Sequence, residues 1–133
     1  MADIVFLDAS VLLSAAYRSG AKISRLWQRD DVRLTTSSYA VEEARRNLDT
    51  TEQRDRLTEL LHRVAITQAI PRDPLPGWII LPDKDVPILQ AAIAAGATHL
   101  LTSDIKHFGR CYWQIVEGVR KIPPAAYGAQ NQI

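Results

Sequence analysis

The chain has 133 residues, of which 47% are hydrophobic and 23% are charged, and these values argue against disorder, a coiled coil or a disulfide scaffold. Sixteen Lys and Arg residues against fifteen Asp and Glu leave a net charge of only +1, so any contact with a nucleic acid must come from a local basic patch. The single cysteine, Cys111, cannot form an internal disulfide, and no apolar run approaches the ~20 residues that span a bilayer. We therefore predict one cytoplasmic domain over residues 1–133 with no membrane span.

Strands and helices alternate through the first half of the sequence. Residues 4–7 form the continuous apolar run of a strand that is covered on both faces of a parallel sheet. A helix is predicted over 11–16, with Ser10 as its N-cap, and a second short helix over 22–29. Strand two is predicted over 32–36. It is followed by a helix over 38–48, with Val41, Ala44 and Leu48 on one stripe. Another helix is predicted over 51–63 and a weaker strand over 64–70.

The second half continues this alternation after a proline-rich stretch. Residues 71–82 hold four of the seven prolines and are predicted to be mostly loop, with a candidate edge strand over 78–81. A helix over 85–97 has Val86, Leu89 and Ile93 inward and Gly96 near its end. A strand over 99–103 ends at Asp104, and strand fragments are predicted over 114–116 and 118–122. The alternation predicts a three-layer α/β/α sandwich around a mostly parallel central sheet.

Two aspartates end predicted strands. Asp8 follows strand one and Asp104 follows the later strand, and ligands of open parallel sheets bind at the carboxyl ends of the strands. If the two strands are neighbours, about 4.8 Å apart, the two carboxylates converge within reach of one metal ion. A divalent cation between them is the simplest way to keep both ionised.

Two further acids are predicted to reach the same edge of the sheet. Asp85 opens the helix before the Asp104 strand, and Glu43 lies in the first turns of the helix after strand two. Oxygen ligands of this kind suit Mg²⁺ or Mn²⁺ better than zinc. Such an ion activates water for attack on a phosphodiester, because it polarises a phosphoryl oxygen and lowers the pKa of its bound water.

Each of these acids also has a purely structural interpretation. Asp8 at a strand end is typical of a turn or a helix N-cap, and Asp85 before Val86-Pro87 is explained by an N-cap ahead of a first-turn proline. Glu42 and Glu43 form a charged helix face with Arg45 and Arg46. Only their joint placement indicates a site.

With these residues the chain resembles the PIN-domain family, which includes the toxin nucleases of bacterial toxin–antitoxin pairs. Three segments carry the resemblance: residues 6–13, residues 37–44, and residues 85–89 followed by 97–104 and 107–109. The resemblance implies that Asp8, Asp85 and Asp104 bind metal and that Glu43, with Glu42 as the fallback, is the family's helix glutamate. Ser10 and Thr102 match small hydroxyl positions beside the acids. His107 stands where many relatives carry a further acid, which leaves one metal ion or two open.

The resemblance implies a Mg²⁺- or Mn²⁺-dependent endoribonuclease, with RNA as substrate, a small antitoxin protein as a partner and a homodimer as the assembly. Two alternatives are a PIN-like module that binds RNA or protein with little catalysis, and a phospho-accepting receiver-like domain. The receiver-like domain requires an acid pair near the start of strand one and a lysine at the last strand, and neither is well placed.

Basic and aromatic residues offer candidate RNA contacts. Arg18, Lys22, Arg25 and Arg29 could track a phosphate backbone, although an ordinary charged helix face explains them slightly better, and Lys106 and Arg110 flank the last acid. The tryptophans Trp27, Trp78 and Trp113 could stack on bases, but packing in the core is the favoured interpretation.

Overall fold

The computed structural model describes residues 3–67, 86–102, 115–116, 118–122 and 127. Within these ranges the elements are, in chain order, β1 (Asp3–Leu7), α1 (Ala9–Tyr17), a 3-10 helix (Lys22–Gln28), β2 (Val32–Ser37), α2 (Ser38–Arg46), α3 (Thr51–Leu61), β3 (Ala65–Thr67), α4 (Val86–Ala94), β4 (His99–Leu101), β5 (Ile115–Val116) and β6 (Val119–Ile122). The predicted proline-rich loop and the candidate edge strand over 78–81 lie outside the described residues.

The strands form one sheet in the order β3-β2-β1-β4-β6-β5. Every neighbouring pair is parallel except β5 with β6, which is antiparallel. From β1 the chain moves outward in one direction through β2 and β3, and then returns to build β4 and β6 on the other side. Right-handed crossovers therefore place α1 and α4 on opposite faces of the sheet. This arrangement confirms the predicted three-layer sandwich.

The central strand β1 is covered on both faces. Val5, Phe6 and Leu7 are all fully buried, which is why their stretch of sequence is continuously apolar rather than alternating. Val41 and Ala44 form a buried stripe on α2, as predicted. Leu48 is also buried, but it lies beyond the end of the helix at Arg46, so the predicted end at Leu48 is wrong. These residues belong to a single apolar core that includes α1, α4 and the inner strands.

The helix α4 differs from its predicted orientation. Ile88, Leu89, Ala91 and Ala92 are its buried residues, whereas Val86 and Ile93 are only partly buried. The helix is apolar on nearly every side, so its sequence contains little information about which side faces the sheet. In the described part of the chain, no helix combines the length and the apolar character that crossing a membrane requires.

Candidate active site at the carboxyl edge of the sheet

Asp8 lies at the point where the direction of the sheet topology reverses. It directly follows β1, whose neighbour on one side is β2 and on the other is β4. Ligands of doubly wound α/β sheets bind outside the carboxyl ends of the strands at such a position. The register pairs Leu7 with Leu101, so Asp8 stands beside Thr102. The convergence of Asp8 and Asp104 is predicted on the condition that these two strands are neighbours, and they are neighbours.

Within the part of the chain that the structure describes, a backbone N–H and two hydroxyls donate hydrogen bonds to the carboxylate of Asp8. Its Oδ1 accepts a hydrogen bond of 2.7 Å from the backbone N–H of Ala9. Its Oδ2 accepts bonds from the hydroxyls of Thr102, at 2.6 Å, and Ser10, at 3.1 Å. The residue is only 5% exposed, and a buried carboxylate needs such donors to keep its negative charge.

The N-terminus of α1 also stabilises this charge. Asp8 is the N-cap of α1, and the positive end of the helix dipole favours an anion there. The expectation that Ser10 caps the helix is wrong, because the helix begins at Ala9 and Ser10 already lies in its first turn. The Ser10 hydroxyl donates to Asp8 instead, which agrees with its predicted supporting position beside the acid.

Buried hydroxyls at the end of β2 fix the neighbouring part of this edge. The Thr36 hydroxyl donates a 2.7 Å hydrogen bond to the carbonyl of Leu7, the residue before Asp8. Ser37 caps α2 by accepting a bond from the N–H of Ala40. The sequence alone does not predict that Thr36 bonds to Leu7. It shows only a threonine near the end of a β-branched strand.

Glu43 is better placed than Glu42 on the helix that starts at this edge. α2 begins directly after β2, so its first turns lie at the carboxyl end of the sheet. Glu43 is partly buried, whereas Glu42 is exposed. On a helical wheel Glu43 lies nearer to the buried face formed by Ala40 and Ala44.

The N-terminus of α4 lies at the same edge. Since β4 is parallel to β1 and begins shortly after α4, the helix runs from the carboxyl edge back to the amino edge of the sheet. α2 and α4 are in contact. Asp85 immediately precedes α4 in the sequence and Asp104 follows Thr102 by two residues, but Asp85, Asp104 and His107 themselves lie outside the described residues.

The described residues test the metal-site prediction only at Asp8 and Glu43. Among them no three Asp, Glu, His or Cys side chains are close enough together to hold a metal ion, but two of the three predicted ligands are not in that set. What is described of the donor set fits a hard cation, since it consists of a buried carboxylate surrounded by hydroxyl oxygens.

The structure describes some of the basic and aromatic residues that the sequence offers as RNA contacts. Arg29 forms an ion pair with Asp31, which makes it a poor candidate for holding phosphate. Arg18, Lys22 and Arg25 are exposed. Trp27 is buried and its Nε1 donates to the carbonyl of Leu60, which supports packing; Trp78, Trp113, Lys106 and Arg110 lie outside the described residues.

A doubly wound α/β domain with a buried aspartate at its topological switch point defines a class of proteins that bind their ligand at this edge of the sheet. The sequence profile of the PIN domain matches residues 4–106, and the chain belongs to the PIN-domain family. Asp8, Glu43, Asp85 and Asp104 all lie inside the matched range. No curated protein sequence matches the chain.

Solved structures share the fold at low sequence identity. One is the crystal structure of VapBC2 from Rickettsia felis bound to a DNA fragment from their promoter, with a TM-score of 0.60, 17% identity, and coverage of 90% of this chain and 98% of that chain. Another is VapBC-1 from nontypeable Haemophilus influenzae, with a TM-score of 0.59, 16% identity, and coverage of 92% of this chain and 98% of that chain.

Proposed function

We propose that the protein is a Mg²⁺- or Mn²⁺-dependent endoribonuclease that hydrolyses RNA phosphodiester bonds at the carboxyl edge of its sheet. The observation that supports this best is the buried Asp8 carboxylate, which sits at the topological switch point with two hydroxyls and one backbone N–H donating to it. The carboxylate caps α1, and its place at the carboxyl ends of β1 and β4, where ligands of such sheets bind, supports a ligand role as well.

The proposed roles differ between the four acids and the two hydroxyls. Asp8 and Asp104 would hold the cation directly, Asp85 directly or through a water, and Ser10 and Thr102 orient the Asp8 carboxylate. When bound, the cation would supply polarisation of the scissile phosphoryl group and favour deprotonation of the attacking water. Glu43 then orients that water or accepts its proton.

We further propose that the protein acts as the toxin of a toxin–antitoxin pair. Support comes from membership of the PIN-domain family and from the similarity of fold to the two VapBC structures. A small antitoxin would occlude the acidic edge, and a basic side chain of the antitoxin could neutralise the carboxylates. A homodimer and a cytoplasmic location are part of the same proposal.

The direct test compares Asp8→Asn with wild type in RNA cleavage with Mn²⁺ and with EDTA. Asparagine keeps an oxygen that can cap α1, and the Thr102 and Ser10 hydroxyls can accept from its amide, so the fold is expected to survive. Asp55→Asn is the matched control, because Asp55 is exposed on α3. We expect metal-dependent cleavage by wild type and by Asp55→Asn, and none by Asp8→Asn.

The alternative is a PIN-like module that binds RNA or protein with little catalysis. It predicts that wild type binds RNA but leaves it intact with either metal. Cleavage that persists unchanged in Asp8→Asn would contradict the proposed site, and cleavage that persists in EDTA would contradict the metal requirement.

A further inference from the structure

A cavity of about 420 Å³ lies between α1 and the 3-10 helix. Its apolar floor is formed by Leu13, Ala21 and Ile23, which are buried or partly buried. Its rim is formed by the exposed residues Tyr17, Arg18 and Lys22. Gly20 makes the turn between the two helices, with a φ of 74° that other residues rarely adopt. The size is in the range of small-ligand sites.

The rim of the cavity is positively charged. Arg18 and Lys22 are exposed, and within the described ranges neither has an ion-pair partner. This differs from Arg29, further along the same segment, whose guanidinium is paired with Asp31. The cavity is therefore complementary to an anionic group with an apolar or aromatic part beside it.

Tyr17 presents a fixed aromatic surface at this rim. The residue is half exposed, and its hydroxyl donates a 3.1 Å hydrogen bond to Asp49. That contact raises the pKa of Tyr17, so the phenol stays neutral at physiological pH. The backbone carbonyl of Tyr17 accepts a bond from Gln53 of α3, which fixes this end of α1. A ring held in place in this way can stack on a base with little loss of entropy.

A single helix links the cavity to the acidic edge. Ser10, Ser14 and Tyr17 lie on one side of α1 at helical spacing, and Ser14 and Tyr17 are exposed. Ser10 contacts the Asp8 carboxylate at one end of this line, and Tyr17 lines the cavity at the other. Seven residues of helix span about 10 Å, a distance that a short single-stranded segment can cover.

We propose that this cavity is a subsite for one nucleotide of a single-stranded RNA whose scissile phosphate lies at Asp8; this rests on the proposed ribonuclease function. In this subsite the base contacts Leu13 and Ile23 and stacks on Tyr17, while Arg18 and Lys22 contact the adjoining phosphates. The path along α1 connects the cavity to Asp8. An RNA strand cut at Asp8 would use this connection, whereas an acidic peptide bound in the cavity would not need it, so the arrangement favours RNA.

The test measures binding of a fluorescein-labelled single-stranded RNA 12-mer by anisotropy, in the Asp8→Asn background so that the RNA stays intact. The variants are Tyr17→Ala, Tyr17→Phe and the double substitution Arg18→Ala with Lys22→Ala. The matched control for charge is Arg33→Ala with Arg120→Ala, since both arginines are exposed and lie toward the amino edge of the sheet. Thermal melting of each variant checks that the fold is kept.

We expect Tyr17→Ala to weaken binding at least about fivefold, the lower end for removal of one base stack. Tyr17→Phe, which keeps the ring but loses the bond to Asp49, should weaken binding less than Tyr17→Ala. In the Arg18 and Lys22 double variant, the slope of log K against log salt should fall by about 0.7 for each phosphate that is no longer neutralised. The Arg33 and Arg120 control should change neither quantity.

Unchanged RNA affinity in Tyr17→Ala together with an unchanged salt slope in the Arg18 and Lys22 double variant would overturn the subsite, whether or not the wild type cleaves RNA. The same result accompanied by weaker binding of a peptide rich in Glu and Leu would reassign the cavity to a protein partner. If wild type fails to cleave but the cavity variants lose RNA affinity as expected, the ribonuclease proposal fails and the subsite stands as an RNA-binding site.

Discussion

The hydroxyl of Thr102 donates a 2.6 Å hydrogen bond to Oδ2 of Asp8, across two strands whose residues are 94 positions apart in the chain. Asp8 and Thr102 follow Leu7 and Leu101, which are paired in register, and Thr102 is fully buried. The position of the Asp8 carboxylate is therefore fixed by the pairing of β1 with β4. Its predicted function as a metal ligand depends on this preorganised geometry.

Thr102→Val tests this dependence, because valine keeps the shape of threonine but cannot donate to Asp8. We expect the affinity for Mn²⁺, measured by calorimetry, to fall about tenfold or more, as for other groups that orient a ligand. The free energy of unfolding should also fall, by about 1.5–3 kcal/mol, because the bond is made to a charged group.

Thr35→Val is the control for Thr102→Val. The Thr35 hydroxyl is buried and donates to the carbonyl of Ala65, away from Asp8. It should lower the free energy of unfolding by about 1 kcal/mol and leave Mn²⁺ affinity unchanged. Equal Mn²⁺ affinity in the two variants would contradict an orienting role for Thr102.

Glu43→Gln is expected to reduce the rate of RNA cleavage by about 10²–10⁴, the usual effect of removing a general base. Glu42→Gln, one residue away and exposed, should retain activity because its side chain lies further from the buried face of α2. Cleavage rates at saturating RNA measure both. The opposite result, with Glu42→Gln inactive and Glu43→Gln active, would move the assignment to Glu42.

Tyr127 stabilises the domain at the opposite, amino edge of the sheet. Its hydroxyl donates a 2.9 Å hydrogen bond to Asp3 at the start of β1, and its ring meets that of His99 edge to face. Burial and Asp3 raise the pKa of Tyr127, so the hydroxyl remains a donor at alkaline pH. Tyr127→Phe should lower the free energy of unfolding in urea by about 1 kcal/mol. This is less than for Thr102→Val, because the Asp3 carboxylate is only partly buried.

Tyr17→Phe provides the comparison for Tyr127→Phe. It also removes a hydroxyl that donates to a carboxylate, but Tyr17 is half exposed, whereas Tyr127 is buried. We expect a change in unfolding free energy within about 0.5 kcal/mol. An equal loss of unfolding free energy in Tyr17→Phe and Tyr127→Phe would show that burial does not strengthen the hydrogen bond of Tyr127.

His99 makes the stability of the fold depend on pH. Burial lowers the pKa of His99 most, Arg120 lowers it further, and Asp3 opposes both. Because the folded-state pKa lies below the value of about 6.5 in the unfolded chain, the unfolded state takes up a proton first. The stabilisation of the fold that depends on neutral His99 is therefore fully present above pH 6.5. It is lost as the pH falls through the folded-state pKa.

We therefore expect the free energy of unfolding in urea to decrease between pH 7.5 and pH 5.5, and His99→Gln to reduce that slope. His62→Gln is the control, since His62 is exposed at the end of α3. A pH dependence that is the same in His99→Gln and wild type would assign it to other groups.

Much of the fold could be predicted from the sequence where one pattern dominates. The continuous apolar run of β1 and the amphipathic stripe of α2 each have a single good arrangement, and both are confirmed. For α4 the apolar residues surround the helix, so packing against its neighbours decides the buried side, and the predicted side was partly wrong.

The candidate site was predictable in composition but not in its contacts. Asp8 at a strand end indicated a site, but the same residue also caps α1, which displaced Ser10 from the predicted capping position. The neighbouring positions of β1 and β4 depend on the long-range strand order, which local patterns do not encode. The cavity beside Tyr17 arises from the packing of two helices and has no motif of its own.

The most direct test of the central proposal is a crystal of the full chain soaked in Mn²⁺ and measured for anomalous scattering. We expect a manganese peak about 2.1 Å from an oxygen of Asp8, with Asp104 as a second carboxylate ligand. A manganese-soaked crystal with no peak at Asp8, or with Asp8 and Asp104 directed into separate regions of solvent, would contradict the account.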